Sequence, residues 1–221
     1  RAVTTTAFVM ILLVAVVGLF ALFSIWSINR SWTDGMNRSA ELRNLSIASL
    51  EAQVAFKVQV QEWKNILLRG DDPALLAKHH AAFGKQDGEV RSLLGRVAEQ
   101  AGALGFGELS SRAASLAADH QTLTRTYEQT LSDTEGTAAT LSAEQARDID
   151  HRLRGIDRAL ESGIGQLATD IGQAADTRRA ALIAGMDGRY ETLRWFIIGV
   201  ILFALLVTVF MLFGILRATR S

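Results

Sequence analysis

Hydrophobic and polar positions follow two regimes along this chain. Ala7 to Ser27 and Trp195 to Leu216 contain no charged residue, while the stretch between them mixes apolar and polar positions at helical spacing. Each uncharged run holds about 20 residues, the length an α-helix needs to cross about 30 Å of hydrocarbon. Two fully buried core helices are the alternative, but a soluble domain shares its apolar residues among several amphipathic elements. The pattern therefore predicts membrane spans over 7–28 and 195–216. Trp26 and Trp32 flank the first and Trp195 opens the second, as aromatic belts do at membrane boundaries. A signal peptide would instead have an apolar region of about 7–15 residues before a small-residue cleavage site. No such site follows Ser27, so the first span reads as a retained anchor.

Two spans place residues 1–6 and 217–221 on one side of the bilayer and 29–194 on the other. Charge does not orient them, because Arg1, Arg217 and Arg220 on one side face Arg30 and Arg194 on the other. A first residue other than methionine, and a last residue just past a span, lead us to expect a fragment whose output part lies outside it.

Punctuation cuts the middle into four helical segments. Gly70-Asp71-Asp72-Pro73 stops the first after Arg69 and restarts the second with an acidic N-cap and a proline in the first turn. Gly105-Phe106-Gly107 ends the second near Gly102, and the third runs from about Glu108 to Thr134. Gly136 to Leu141 reads as a loop. Ser142, with Glu144 nearby, then caps a fourth helix expected to run unbroken into the second span.

Apolar spacing matches this division. Leu42, Leu45, Ser49, Ala52, Phe56, Gln59, Trp63 and Ile66 form a 3-4 seam on the first helix. Ile149, Leu153, Ile156, Leu160, Gly163, Leu167 and Ile171 do so on the fourth. Shorter seams run through Phe83, Val90, Leu93 and Val97, and through Leu109, Leu116, Leu123 and Leu131. The expected fold is all-α: an up-down-up-down four-helix bundle whose outer helices extend into the transmembrane helices. The first helix carries a second stripe, Ile47, Leu50, Val54 and Val58. Such a helix needs either a second partner, most simply a twofold homodimer, or one wide buried face.

Composition narrows the chemistry. Lys plus Arg and Asp plus Glu number 23 each, so no charge bias favours nucleic acid. The chain has no cysteine, which removes disulfides, thiolate chemistry and Cys-based zinc sites. No nucleophile elbow, phosphate loop or H-E-x-x-H pattern is present, so no catalytic residue, metal ligand set or cofactor is assigned and an enzyme is not expected. Two Asn-x-Ser patterns, at Asn37 and Asn44, fall in helix and read as chance matches. His79 and His80 point about 100° apart on a helix and suit one ion poorly. A non-covalent haem or zinc between His79 and His151 is conceivable, against partly buried or surface histidines. Arg69, Arg147, Arg154 and Arg158 gather at the membrane-distal end of an up-down bundle, where guanidinium forks suit a small anionic ligand. Lys57, Gln59 and Lys64 add polarity from the first helix. A solvated rim neutralised by Asp148, Asp150 and Asp157 would give the same composition.

The run V-Q-E-W-K-N-I-L-L-R-G-D-D-P, Val60 to Pro73, resembles the end of the first sensor helix of bacterial methyl-accepting chemotaxis proteins. Arg154-Gly155-Ile156-Asp157-Arg158 resembles a stretch of their fourth helix. The resemblance implies a homodimer in the bacterial inner membrane, in contact with lipid, with residues 29–194 as a periplasmic sensor domain. It implies a cytoplasmic HAMP linker starting at 217–221. It also implies a small-molecule ligand or a periplasmic binding protein as partner, and a signal passed through the second span. The glycines at 155, 163, 165, 172, 185 and 188 suit such a signalling helix or, equally, close packing against a neighbour. The same input module on a histidine kinase or diguanylate cyclase, a passive tether, and a haem-based redox or gas sensor are the alternatives.

Overall fold

The structure is a computed structural model that describes residues 2–135 and 140–219. The described residues are all-α: α1 (Ala2–Arg69), α2 (Pro73–Ala103), α3 (Gly107–Glu135), α4 (Ala143–Leu153) and α5 (Arg158–Thr219). They divide into two compact units, one from residues 1–39 and 178–221, the other from 40–177.

The helix ends follow local chemistry. Arg69 closes α1, and the Asp72 carboxylate accepts hydrogen bonds from the backbone N–H of Ala74 at 2.8 Å and Leu75 at 3.1 Å. Pro73 occupies the first turn, where its missing N–H costs nothing. Gly105, at φ +83°, turns the chain between α2 and α3. Ser142 caps α4 in a reciprocal box with Gln145, not with Glu144 as the sequence suggested. The Leu141 N–H donates to the Gly70 carbonyl at 2.7 Å, which ties the entry of α4 to the exit of α1. The predicted loop falls partly outside the described residues, at 136–139, as do Arg1 and Arg220 among the flanking arginines.

The fourth helix is not unbroken. It stops at Leu153, Arg154 adopts a non-helical ψ of 114°, and Gly155 takes φ +77° before α5 starts at Arg158. Only glycine enters that left-handed region without steric cost. The seam predicted through this point therefore loses Ile156, which is 40% exposed, while Ile149 and Leu160 on either side are buried.

In the 40–177 unit all helices feed one core. Every residue of the predicted α1 seam from Leu42 to Ile66 is buried, the polar Ser49 and Gln59 included. Phe83, Val90, Leu93 and Val97 of α2 join them, as do Leu116, Leu123 and Leu131 of α3 and Ile164, Leu167 and Ile171 of α5. Gly163 lets α5 approach α3: a Cβ there would lie 2.7 Å from the Leu116 side chain. Ile47, Leu50, Val54 and Val58 stay exposed on α1.

The other unit consists of the N-terminal part of α1 and the C-terminal part of α5. Both are long and apolar enough to cross a membrane, and residues 194–214 have a mean hydropathy of 3.1. Leu19, Leu22, Ile25, Leu202 and Leu206 are exposed here, as lipid-facing residues would be. The Phe20 and Phe196 rings meet at 4.9 Å, and the Arg30 guanidinium lies 5.5 Å above the Trp26 ring. These features are consistent with a membrane protein.

Candidate functional site

One layer of the 40–177 core differs from the aliphatic layers around it. Trp63 of α1 stacks on Tyr127 of α3 at 4.3 Å, and Phe83 of α2 meets Trp63 at 5.8 Å and Tyr127 edge-on at 5.9 Å. Burial raises the Tyr127 phenol well above its ordinary value, with the negative charge of Asp157 adding to it, so the group stays protonated.

One turn along α1, the polarity of the core changes. Gln59 interrupts the apolar seam because it has partners on α3. Its Oε1 accepts from His120 Nε2 at 2.7 Å, and its Nε2 donates to Thr124 Oγ1 at 3.3 Å. His120 is fully buried and lies edge-on to Phe56, with ring centroids 6.0 Å apart. Its other nitrogen, Nδ1, has no hydrogen-bond partner and lies 3.9 Å from Asp87 Oδ1 on α2. Asp87 in turn pairs with Arg91 at 3.0 Å. Burial holds the His120 imidazole below its ordinary value of 6.5, Asp87 pulling the other way and Arg91 with the burial.

Two more histidines meet carboxylates on other helices. His79 Nδ1 lies 2.7 Å from Glu62 on α1, and His80 Nε2 lies 2.9 Å from Glu128 on α3. The His79 contact holds the Glu62 carboxyl below the ordinary glutamate value. Three imidazoles thus face three acidic groups across helix boundaries. His79 Nε2 is buried without a partner, and His151 is exposed on α4. Among the described residues no three His, Cys, Asp or Glu side chains are grouped to hold a metal ion.

The sequence-predicted ligand residues are dispersed. Gln59 is inside the core, whereas Lys57, Lys64, Arg69, Arg147, Arg154 and Arg158 are exposed. Lys57 reaches Glu161 at 3.8 Å, and Arg154 binds Asp150 at 2.9 Å within its own helical face. Arg147 donates back to the Ala143 carbonyl at 3.1 Å. The Arg158 side chain packs over Gly155, where a Cβ would lie 3.2 Å from its Nε. The Gly70–Leu141 contact brings the α1 end that carries Arg69 near the start of α4, which carries Arg147. A shallow cleft of about 280 Å3 opens beside the α4–α5 break, floored by Leu116, Leu123, Ile156 and Leu160 and rimmed by Asp119 and Thr126.

His120 and Asp87 escaped the sequence reading as site residues. The available signal was two polar residues, Gln59 and His120, set into helices that otherwise bury apolar side chains.

No protein-family model matches the chain, and no solved structure is significantly similar to it. The chain is 33% identical over 135 residues to the methyl-accepting chemotaxis protein CtpH of Pseudomonas aeruginosa, an alignment that covers 61% of this chain and 22% of that protein. The match thus spans about a fifth of the relative's length.

Proposed function

We propose that this chain is the input region of a transmembrane chemoreceptor of the methyl-accepting type. Residues 29–194 form its periplasmic up-down-up-down four-helix bundle, and residues 7–28 and 195–216 are its two inner-membrane helices. The observation that carries this reading is the similarity to CtpH in a chain whose helical core is flanked by two apolar helices. A cytoplasmic HAMP linker starts at 217–221 and passes the signal to a chemotaxis output domain.

The receptor acts as a homodimer through the exposed stripe Ile47, Leu50, Val54 and Val58, a face that its own core leaves open. A small anionic ligand, or a periplasmic binding protein, engages the end that carries Arg69 and Arg147, with Arg154 and Arg158 beside the α4–α5 break. Lys57 and Lys64 are exposed on the α1 side, whereas Gln59 stays in the core on His120 and Thr124 and takes no part in the approach. Binding favours one arrangement of α5 against α1, and α5 runs from Arg158 to Thr219 without interruption. Moving such an equilibrium from mostly off to mostly on takes about 5.5 kcal/mol of differential binding.

The test is a chimera that places residues 1–221 ahead of the HAMP linker and signalling domain of a characterised chemoreceptor, expressed in a receptorless strain. Attractant panels of organic acids, amino acids and other anions are scored by kinase output. A response lost in Arg69→Ala or Arg147→Ala supports the reading. A membrane-inserted, dimeric chimera that answers no compound and no binding protein overturns it.

A further inference from the structure

The histidine–carboxylate contacts assign a ligand that the arginine-rich end does not explain: the proton. Gln59 accepts from His120 Nε2 and spends its own amide on Thr124, so the neutral imidazole carries its hydrogen on Nε2. That tautomer leaves the Nδ1 lone pair bare inside the core, with a carboxylate oxygen 3.9 Å away. Two acceptors facing each other gain nothing. One proton between them turns the contact into a charge-assisted hydrogen bond.

The surroundings make this a two-position arrangement. The charged groups that face His120 are Asp87 and Arg91, both on α2. From α1 it meets the uncharged Gln59 and Phe56, and α5 brings the apolar Leu160, Ile164, Leu167 and Ile171 to the same core. Asp87 is 14% exposed and now sits on Arg91 at 3.0 Å. It is the only one of these groups with both a route to water and a choice of partner.

We propose that His120 is a proton-binding site, and that filling it transfers Asp87 from Arg91 to the imidazolium and regrips α2 on α3. The Nδ1 lone pair takes a proton from hydronium. Nε2 keeps its hydrogen and its bond to Gln59, and Arg91 is released to solvent. His79–Glu62 and His80–Glu128 join α2 to α1 and to α3 at the other side of the aromatic layer, at 2.7 Å and 2.9 Å. Proton binding at His120 therefore replaces the Asp87–Arg91 pair within α2 by a contact from α2 to α3. Use of this response as a taxis signal rests on the receptor reading above; proton binding itself does not.

The experiment is a histidine NMR titration of the intact chain in detergent micelles between pH 7.5 and 4.5, with His120 assigned by its absence in His120→Gln. The His120 ring signal is expected to titrate with a midpoint below 6.5. In Asp87→Asn the midpoint is expected to fall by about one further pH unit, because an opposite charge this close favours the imidazolium. Hydrogen exchange on α2 around Asp87, corrected for intrinsic pH dependence, should quicken on acidification, because the opened state binds the proton more readily, and should quicken more in Asp87→Asn than in wild type. If His120→Gln does not fold, the His120 signal is assigned in wild type from its contacts to Phe56. A ring that does not titrate in this range, or a midpoint unmoved by Asp87→Asn, overturns the proposal. A mute chimera with a normal titration leaves the site intact and removes only the receptor reading.

Discussion

Trp63 lies nearly parallel to Tyr127, with 27° between the ring planes and 4.3 Å between centroids. This joins α1 to α3 at the layer where α2 contributes Phe83. Trp63→Ala removes the largest ring of the cluster and is expected to cost about 3–5 kcal/mol. Tyr127→Phe keeps both rings stacked and should cost under about 1 kcal/mol. Urea unfolding followed by far-UV circular dichroism separates the two.

Gln59 is held in the core by what it satisfies. Gln59→Leu leaves His120 Nε2 and Thr124 without their partner and is expected to destabilise by about 1–3 kcal/mol. Adding His120→Leu should recover much of that loss, because two apolar residues then replace a broken polar pair. A double-mutant cycle on unfolding free energies reads the coupling directly, and simple additivity would refute it.

Gly155→Ala tests the break between α4 and α5. At φ +77° an alanine pays about 1–2 kcal/mol, and its Cβ meets the Arg158 side chain. A stabilised variant with more helix would mean that the two segments join into one.

Asp72→Ala removes the cap that holds the Ala74 and Leu75 amides and should cost about 1 kcal/mol. Asp72→Asn, which keeps an accepting oxygen, should cost less. Thermal unfolding of both variants beside wild type settles the order.

Acid should weaken the α1–α2 contact in a defined window. The His79 hydrogen bond depresses the folded-state pKa of Glu62 below its ordinary 4.5. Its contribution is complete above the unfolded value and is lost as pH falls through the lower folded one. Glu62→Gln should therefore flatten the stability profile below pH 4.5 and leave the His120 titration unchanged.

Much of this architecture was legible in the sequence. The α1 seam from Leu42 to Ile66 is buried residue by residue, and the Gly70–Pro73 punctuation ends and restarts helices where expected. The α4–α5 break was not legible, because the 3-4 rhythm passes through Ile156 as if the helix continued. Only a backbone angle distinguishes a glycine that packs closely from one that turns left-handed. The histidine contacts were hidden for a different reason. Pairing Gln59 with His120, or Asp87 with His120, needs the axial register between helices tens of residues apart. One helix's periodicity fixes its own face and leaves its height against a neighbour open. The arginines show the converse: their order along the chain was plain, while their local engagement with Asp150, Ala143 and Gly155 came from side-chain geometry.

The left-handed residue at 155 also sets which movements α5 can feel. A helix transmits push and twist through its continuous ladder of backbone bonds, and that ladder is cut between Leu153 and Arg158. Disturbance of α4 alone is absorbed at the cut like slack in a coupling. In the receptor proposed above, the stiff shaft begins at Arg158, and a ligand held at Arg69 and Arg147 acts on it by locking the joint.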